Sequence, residues 1–267
     1  MAVVVPTASR RRSAPVTLSL DVGGTGIKGD TLDLAGKPTA DRVRVPTPYP
    51  LTPEGLLQVF STIAKSLPPF DRISVGFPGV VRDGQILSAP HFVLEGGDGT
   101  AEVPELVRAW DHFNLAAETA KTLGKPTRVG NDADVQGMAV VQGKGLEVVL
   151  TLGTGVGSAV FKDGRLAPHL ELAHHPLHKK KTYNEYLGDQ VRKRIGEERW
   201  NRRVERTVKV VRALLFFDHL YIGGGNSSRV TRQLGEDVTL VDNDAGILGG
   251  IRLWDQPFVP THGAKLD

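Results

Sequence analysis

The sequence predicts an α/β fold with its ligand loops at the carboxyl ends of its strands. Three glycine-dense turns carry that reading. The apolar run from Leu18 ends at Asp21 and passes at once into Gly23-Gly24-Thr25-Gly26, with Lys28 just beyond. Val148–Leu152 leads into Gly153-Thr154-Gly155-Val156-Gly157-Ser158, and Leu220–Ile222 leads into Gly223-Gly224-Gly225-Asn226-Ser227. Open α/β sheets collect ligands at that end of their strands. Glycines let backbone N–H groups come close to phosphate, because no Cβ stands in the way. Thr25 and Lys28 suit phosphate oxygens, and Asp21 suits a magnesium ion held through water. A tight hairpin turn after an edge strand fits the first loop as well. The Walker A spacing is absent from all three.

The elements follow in order. Val16–Val22 reads as a first strand, Gly29–Leu34 as a second and Arg42–Thr47 as a third, closed by Pro46, Pro48 and Pro50. From Pro53 the positions Leu56, Leu57, Val59, Phe60, Ile63 and Leu67 trace one helix face, with Thr52 as N-cap and Glu54 in the first turn. Ile73–Phe77 is a short buried strand. Val103–Leu123 reads as helix, Thr127–Val129 as a strand ending at Asn131-Asp132, and Ala133–Val141 as the helix after it. A strand pair surrounds Gly153–Gly157, and a long loop runs from Ala167 to Tyr183. Trp200, Val204, Val208, Val211 and Leu215 then mark the apolar face of another helix. Leu220–Ile222 and Val238–Val241 close a sheet. No internal repeat of short period is evident, and no helix-turn-helix precedes the first strand.

The 267 residues suffice for one large domain or two modest ones, and 40% hydrophobic with 24% charged residues is ordinary for a folded protein. No apolar run is long enough to span a membrane. Residues 1–15 read as a disordered lead-in. They place an apolar start before Arg10-Arg11-Arg12, the reverse of a secretion signal, so a cytoplasmic location is expected. With no cysteine, disulfides and thiolate metal sites are excluded. The net charge is only +3, yet between Lys179 and Arg212 twelve basic residues face five acidic ones. Lys179-Lys180-Lys181 and the helix positions Arg199, Arg202, Arg206 and Lys209 suggest a track for an anionic partner, although a solvated helix face is often basic too. Interleaved aromatics are missing, so nucleic acid is not the expected partner.

The motifs D-V-G-G-T-G-I-K, G-F-P-G (Gly76–Gly79), G-N-D-A (Gly130–Ala133), G-T-G-V-G-S and E-L-A-H (Glu171–His174), in that order, resemble the ROK sugar-kinase family. The resemblance runs from about Val16 to Trp254. Within the family, His174–Gly188 and the segment DHLYIGGGNS are most similar to the polyphosphate glucokinase branch. The resemblance implies a two-domain actin-like (ribonuclease H-like) fold with the active site in the interdomain cleft. The expected domains are 16–115 and 116–267, with the helix at about 245–254 packing back on the first.

It also implies transfer of a phosphoryl group from polyphosphate, ATP or both to the C6 hydroxyl of glucose, with Mg²⁺, in a homodimer. Asp132 is then the general base, although an aspartate at that point also suits an N-cap. Gly76, Phe77, Pro78, Gly79, Asn131, Glu171, His174 and Glu185 match sugar-binding positions. Asp21, Gly23, Gly24, Thr25, Gly26, Lys28, Gly153, Thr154, Gly155, Gly157, Gly223, Gly224, Gly225 and Asn226 match phosphate or nucleotide positions. Two departures stand out: Ala173 replaces the glycine of E-x-G-H, and the family's cysteine-rich zinc loop is replaced by Pro176–Lys181. His174, His175 and His178 remain, but no zinc is expected. The alternatives are a strictly ATP-dependent kinase for mannose or N-acetylmannosamine, and a sugar sensor without turnover.

Overall fold

The computed structural model describes residues 14–97, 99–241 and 245–255, so the lead-in lies almost wholly outside the described residues. Two five-stranded sheets organise the chain. The first holds β1 (Thr17–Val22), β2 (Ile27–Leu32), β3 (Val43–Val45), β4 (Arg72–Phe77) and β5 (Thr127–Asn131), in the order 3-2-1-4-5. The second holds β6 (Leu146–Leu152), β7 (Val156–Lys162), β8 (Arg165–Leu166), β9 (His219–Gly223) and β10 (Val238–Leu240), in the order 8-7-6-9-10.

The two orders are the same pattern. In each sheet the first three strands run antiparallel, and two parallel strands extend the other side of the first. The repeat spans roughly half the chain, far longer than any short period the sequence could display. Each glycine hairpin, 22–27 and 152–156, joins the first two strands of its own sheet. β5 lies past the expected boundary at 115/116, because its pairing with β4 places residues 127–131 in the first sheet.

Burial explains the elements. In the first half, Leu18, Leu20, Phe60, Ile63, Phe77, Phe92 and Trp110 share one core. In the second, Leu150, Leu152, Trp200, Val204, Val208 and Val211 share another. Helix α1 (Pro53–Lys65) starts at Thr52, whose hydroxyl accepts from Gly55 N at 3.0 Å. The helix expected over Val103–Leu123 is broken. Pro104–Trp110 is helical, His112 turns left-handed (φ 55°), and α2 (Leu115–Leu123) begins afresh under a cap from Asn114. Burial of Trp110, whose indole N–H donates to Leu51 O at 3.0 Å, fixes the first piece against the core. The loop expected over Ala167–Tyr183 contains a hairpin of Pro176–His178 with Lys181–Thr182.

Helix α3 (Asp132–Val140) stands between the sheets. A Cβ on Gly76 would lie 3.6 Å from Asp132 Cα, and one on Gly157 2.8 Å from Ala133 Cβ, so α3 starts in contact with both. Helix α4 (Glu197–Leu215) covers the second sheet, and its Trp200 donates to Leu187 O at 2.7 Å. Helix α5 (Ala245–Arg252) returns to the first half, where Ser74 Oγ donates to Gly250 O. Trp254 continues the contact, with the guanidinium groups of Arg72 and Arg128 5.0 and 4.8 Å from its ring centroid. No helix among the described residues is long and apolar enough to cross a membrane.

Where α5 meets α3, a Cβ on Gly249 would fall 1.6 Å from Val135 O. Gly249→Ala should therefore destabilise the protein by about 1–3 kcal/mol, the usual cost of overpacking. Thermal unfolding followed by circular dichroism checks this, and an unchanged melting temperature would contradict the close α3–α5 contact.

Candidate active site

The three glycine turns open into one cleft of about 620 Å³. Among the expected residues, Asp21, Gly23, Gly24, Thr25, Pro78, Gly79, Asn131, Asp132, Gly153, Thr154, Gly155, Gly157, Glu171, His174, Gly224 and Gly225 line it. The residues come from both sheets and from the start of α3. The loops are preset for an anion, since the amides of Gly24, Thr25, Thr154 and Gly155 bond to no partner among the described residues. The Asp189 N–H, by contrast, is given to Gly153 O and Thr154 O, which fixes the second loop from behind.

Seven expected residues lie outside the lining. Lys28 faces Asp21 across the β1–β2 ladder, with Nζ 3.1 Å from Oδ2. Gly26 lies under Arg44, whose Nε would be 2.7 Å from a Cβ there. Gly76 supports Asp132 from below, and Phe77 sits in the core against Phe92 and Trp110. Gly223 packs on Val241. Asn226 makes no side-chain cap: a single 3₁₀ turn, Ser227–Arg229, follows it, and its amide donates to Gly153 O at 3.2 Å, tying the third turn to the second. Glu185 is exposed in a capping box with Thr182, at 2.9 and 3.2 Å. Its neighbour Asn184 faces the cleft instead, accepting from Val156 N at 2.7 Å.

Asn131 and Asp132 divide the labour at the head of α3. Asn131, not Asp132, is the N-cap: its Oδ1 accepts from Ala133 N at 2.8 Å and Asp134 N at 3.3 Å, and its amide donates to Gly79 O at 2.9 Å. Asp132 is thereby free to face the cleft. Among the described residues its Oδ1 accepts only from Ala133 N, at 2.9 Å. Burial, followed by the negative charge of Asp21, pushes the Asp132 carboxyl up to about 7, above the ordinary carboxylate range.

Several cleft residues carry no sequence signature. Thr47 and Tyr49 donate to Gly23 O (2.6 Å) and Gly24 O (2.9 Å), holding the first loop in place. His91 and Gln136 also line the cleft. His169 lies between Asp134 and Glu171, in contact with both. Only proximity to a motif could have pointed to Asp134 and His169; Thr47, Tyr49 and His91 reach the cleft through tertiary folding.

The basic residues are not equivalent. Lys179 and Lys180 form a two-residue turn with both φ positive, 48° and 63°, a conformation that favours Asn-Gly and strains lysine. Arg206 reaches the His178 ring at 3.3 Å, and Arg203 stacks on Tyr186. Arg202 pairs with Glu198 and Lys209 with Glu205, whereas Arg199, Arg206 and Lys179–Lys181 pair with no carboxylate among the described residues. Nor does any cluster of three or more metal-ligating side chains occur among them.

Two sheets of the same topology, meeting at glycine loops around a half-buried carboxylate, make an actin-like fold. Residues 17–175 match the ROK family. The polyphosphate glucokinase of Mycobacterium tuberculosis is 33% identical over 250 residues, spanning 86% of this chain and 88% of the relative. That of Mycobacterium leprae is 32% identical over 261 residues, spanning 91% and 74%. The inorganic polyphosphate/ATP-glucomannokinase of Arthrobacter sp. strain KM superposes with a TM-score of 0.75 at 29% identity, covering 90% of this chain and 97% of that one. The chain belongs to the ROK family.

The raised Asp132 makes a prediction for stability. From the ordinary carboxylate range up to about 7, the folded chain keeps a proton that the unfolded chain releases, so stability falls as pH rises through that window. Asp132→Asn removes the loss. The variant's melting temperature should exceed that of the parent by more at about pH 8 than at about pH 5. A gap that does not change with pH would show that Asp132 ionises as it does in water.

Proposed function

We propose that this chain transfers a phosphoryl group from inorganic polyphosphate or ATP to the C6 hydroxyl of glucose, with Asp132 as general base. The observation that carries this is the placement of Asp132: a cleft carboxylate raised to about 7, near two loops with open backbone amides. A base works best when its pKa lies near the operating pH. The names of the relatives supply the sugar and the donor.

The sugar lies against Pro78, Gly79, Glu171 and His174, where carboxylate and imidazole fix hydroxyls by directional hydrogen bonds. Asn131 lines the same wall, but its amide is already committed to Gly79 O and its oxygen to the cap, so it acts mainly by fixing the wall and Asp132. The donor phosphates rest on the Gly23–Thr25 and Gly153–Gly157 loops, and Gly224-Gly225 offers a place for ribose and base. Asp132 takes the hydroxyl proton as oxygen attacks the terminal phosphorus, whose bond to the bridging oxygen breaks to release ADP or a polyphosphate one unit shorter. Positioning and charge stabilisation account for most of the acceleration in such transfers. Asp21, which lines the cleft beside its partner Lys28, suits a magnesium ion bound through water, which needs only one or two carboxylates besides phosphate. When bound, the ion would neutralise phosphate charge.

Long polyphosphate extends from the cleft along the basic surface. The hairpin bearing Lys179–Lys181 begins two residues after His174, and Arg206 adjoins it through His178. Lysines held in a strained turn are a local departure that a polyanion contact would explain.

A matrix of ATP and long-chain polyphosphate against glucose, mannose and N-acetylmannosamine tests the reading. Phosphorylation of glucose supports it, and activity on other sugars alone would overturn the choice of acceptor. Substituting Glu at Lys180, Arg199 and Arg206 together should raise KM for long polyphosphate about tenfold or more and flatten its salt dependence, while KM for ATP stays within about twofold. Equal effects on both donors would return these residues to an ordinary solvated surface.

A further inference from the structure

Glu171 sits on a stretch with no regular secondary structure. Residues 167–172 have neither helix nor strand, and a carboxylate on such a segment needs other means of orientation. Part of it is backbone anchorage: Ser158 Oγ donates to Leu170 O at 2.5 Å and accepts from Leu172 N at 3.2 Å. These bonds place the chain but leave the Glu171 side chain free to turn. Two contacts remove that freedom. Oε1 accepts from Ala173 N at 3.0 Å, and Oε2 lies 3.4 Å from His169 Nε2.

The other face of the His169 ring is equally committed. Nδ1 lies 3.2 Å from both Oδ1 and Oδ2 of Asp134. The His169 side chain is 10% exposed and that of Asp134 is 6% exposed, against 30% for Glu171. Asp134 in turn sits in the first turn of α3, two residues after Asp132, where its N–H is held by the Asn131 cap. The line Asp134–His169–Glu171 therefore runs from a buried anchor beside the base to a carboxylate at the cleft surface. Only a ring with both nitrogens protonated can donate to both carboxylates.

We infer that His169 is a positioning residue: its imidazolium, anchored by Asp134, fixes the Glu171 carboxylate toward the acceptor and sets its distance from Asp132. The inference rests on the assignment of Glu171 to the sugar. Charge balance agrees with the geometry. Burial opposes a charge on His169, yet hydrogen bonds donated to Asp134 and Glu171 outweigh it and push the ring up to about 10. Burial alone would raise Glu171, but the contacts with His169 and the Ala173 N–H hold it below the ordinary range, so it meets the sugar as a full acceptor. Burial holds Asp134 above the ordinary carboxylate range, and the hydrogen bond from His169 only partly offsets that rise.

The test uses His169→Gln and His169→Leu in the full chain, with kcat and both KM values measured for glucose and for the donor. Gln and Leu have similar volume, but only Gln retains an N–H₂ that can donate twice. KM for glucose should rise in the order parent, Gln, Leu, by about tenfold or more for Leu, with donor KM within about twofold. Equal effects of Gln and Leu, or equal changes in both KM values, would reduce His169 to packing and overturn the inference, while glucose turnover by the parent would leave the proposed activity standing. If the parent phosphorylates no hexose, that activity fails, and imidazole nitrogen NMR decides the inference separately. The His169 ring, assigned by loss of its signal in His169→Gln, should remain doubly protonated at about pH 8 and lose that proton at lower pH in Glu171→Gln. A neutral ring in the parent at that pH, or a midpoint indifferent to Glu171→Gln, would refute it.

Discussion

The first turn of α3 is the constraint on which the site depends. Asn131 is the last residue of a strand of the first sheet and the cap of a helix that also touches the second. Its side chain accepts from the Ala133 and Asp134 N–H groups, as N-caps do, and reaches across to Gly79 O. One residue thus secures the helix start, the wall of the pocket and the direction of Asp132. Glycine at 157 makes that placement possible, because a Cβ there would lie 2.8 Å from that of Ala133.

The duplicated sheet gives the site its bilateral character. Each half contributes a hairpin whose turn lines the cleft and carries backbone amides without a partner among the described residues, at Gly24-Thr25 and at Thr154-Gly155. Neither loop holds itself open. The first is tied back through its carbonyls by Thr47 and Tyr49, and the second by Asp189 and Asn226. With their carbonyls tied back, the loops keep these amides unpaired, which suits a phosphate chain. Between the loops, the low exposure that raises Asp132 also strengthens every charge interaction across the cleft.

Much of this is legible in the sequence. Glycine turns at strand ends, the Thr52 cap and the 3.6-residue periodicity of α4 are local signals, and each appears in the structure where local chemistry puts it. Asp132 was legible as a cleft residue because the strand-to-helix junction places it there. What stayed hidden is tertiary. Nothing within Val103–Leu123 announces that burial of Trp110 breaks the helix. Glu185 and Asn184 differ by one position, and on a helix that single step decides between the outer cap and the cleft. His169 reads as one more histidine until the fold brings Asp134, thirty-five residues away, against its ring. The sheet repeat is equally invisible, because its halves share topology and not residues.

The central claim is that Asp132 removes the proton from a sugar hydroxyl. Turnover by Asp132→Asn, measured beside the affinity for glucose, tests it most directly. The amide keeps the shape of the carboxylate and loses its basicity, so turnover should fall below about a hundredth of the parent while glucose affinity stays within a few-fold. The parent's kcat/KM should also fall as pH drops below about 7, where Asp132 gains its proton. An Asp132→Asn variant that keeps more than about a tenth of parental turnover would contradict the account.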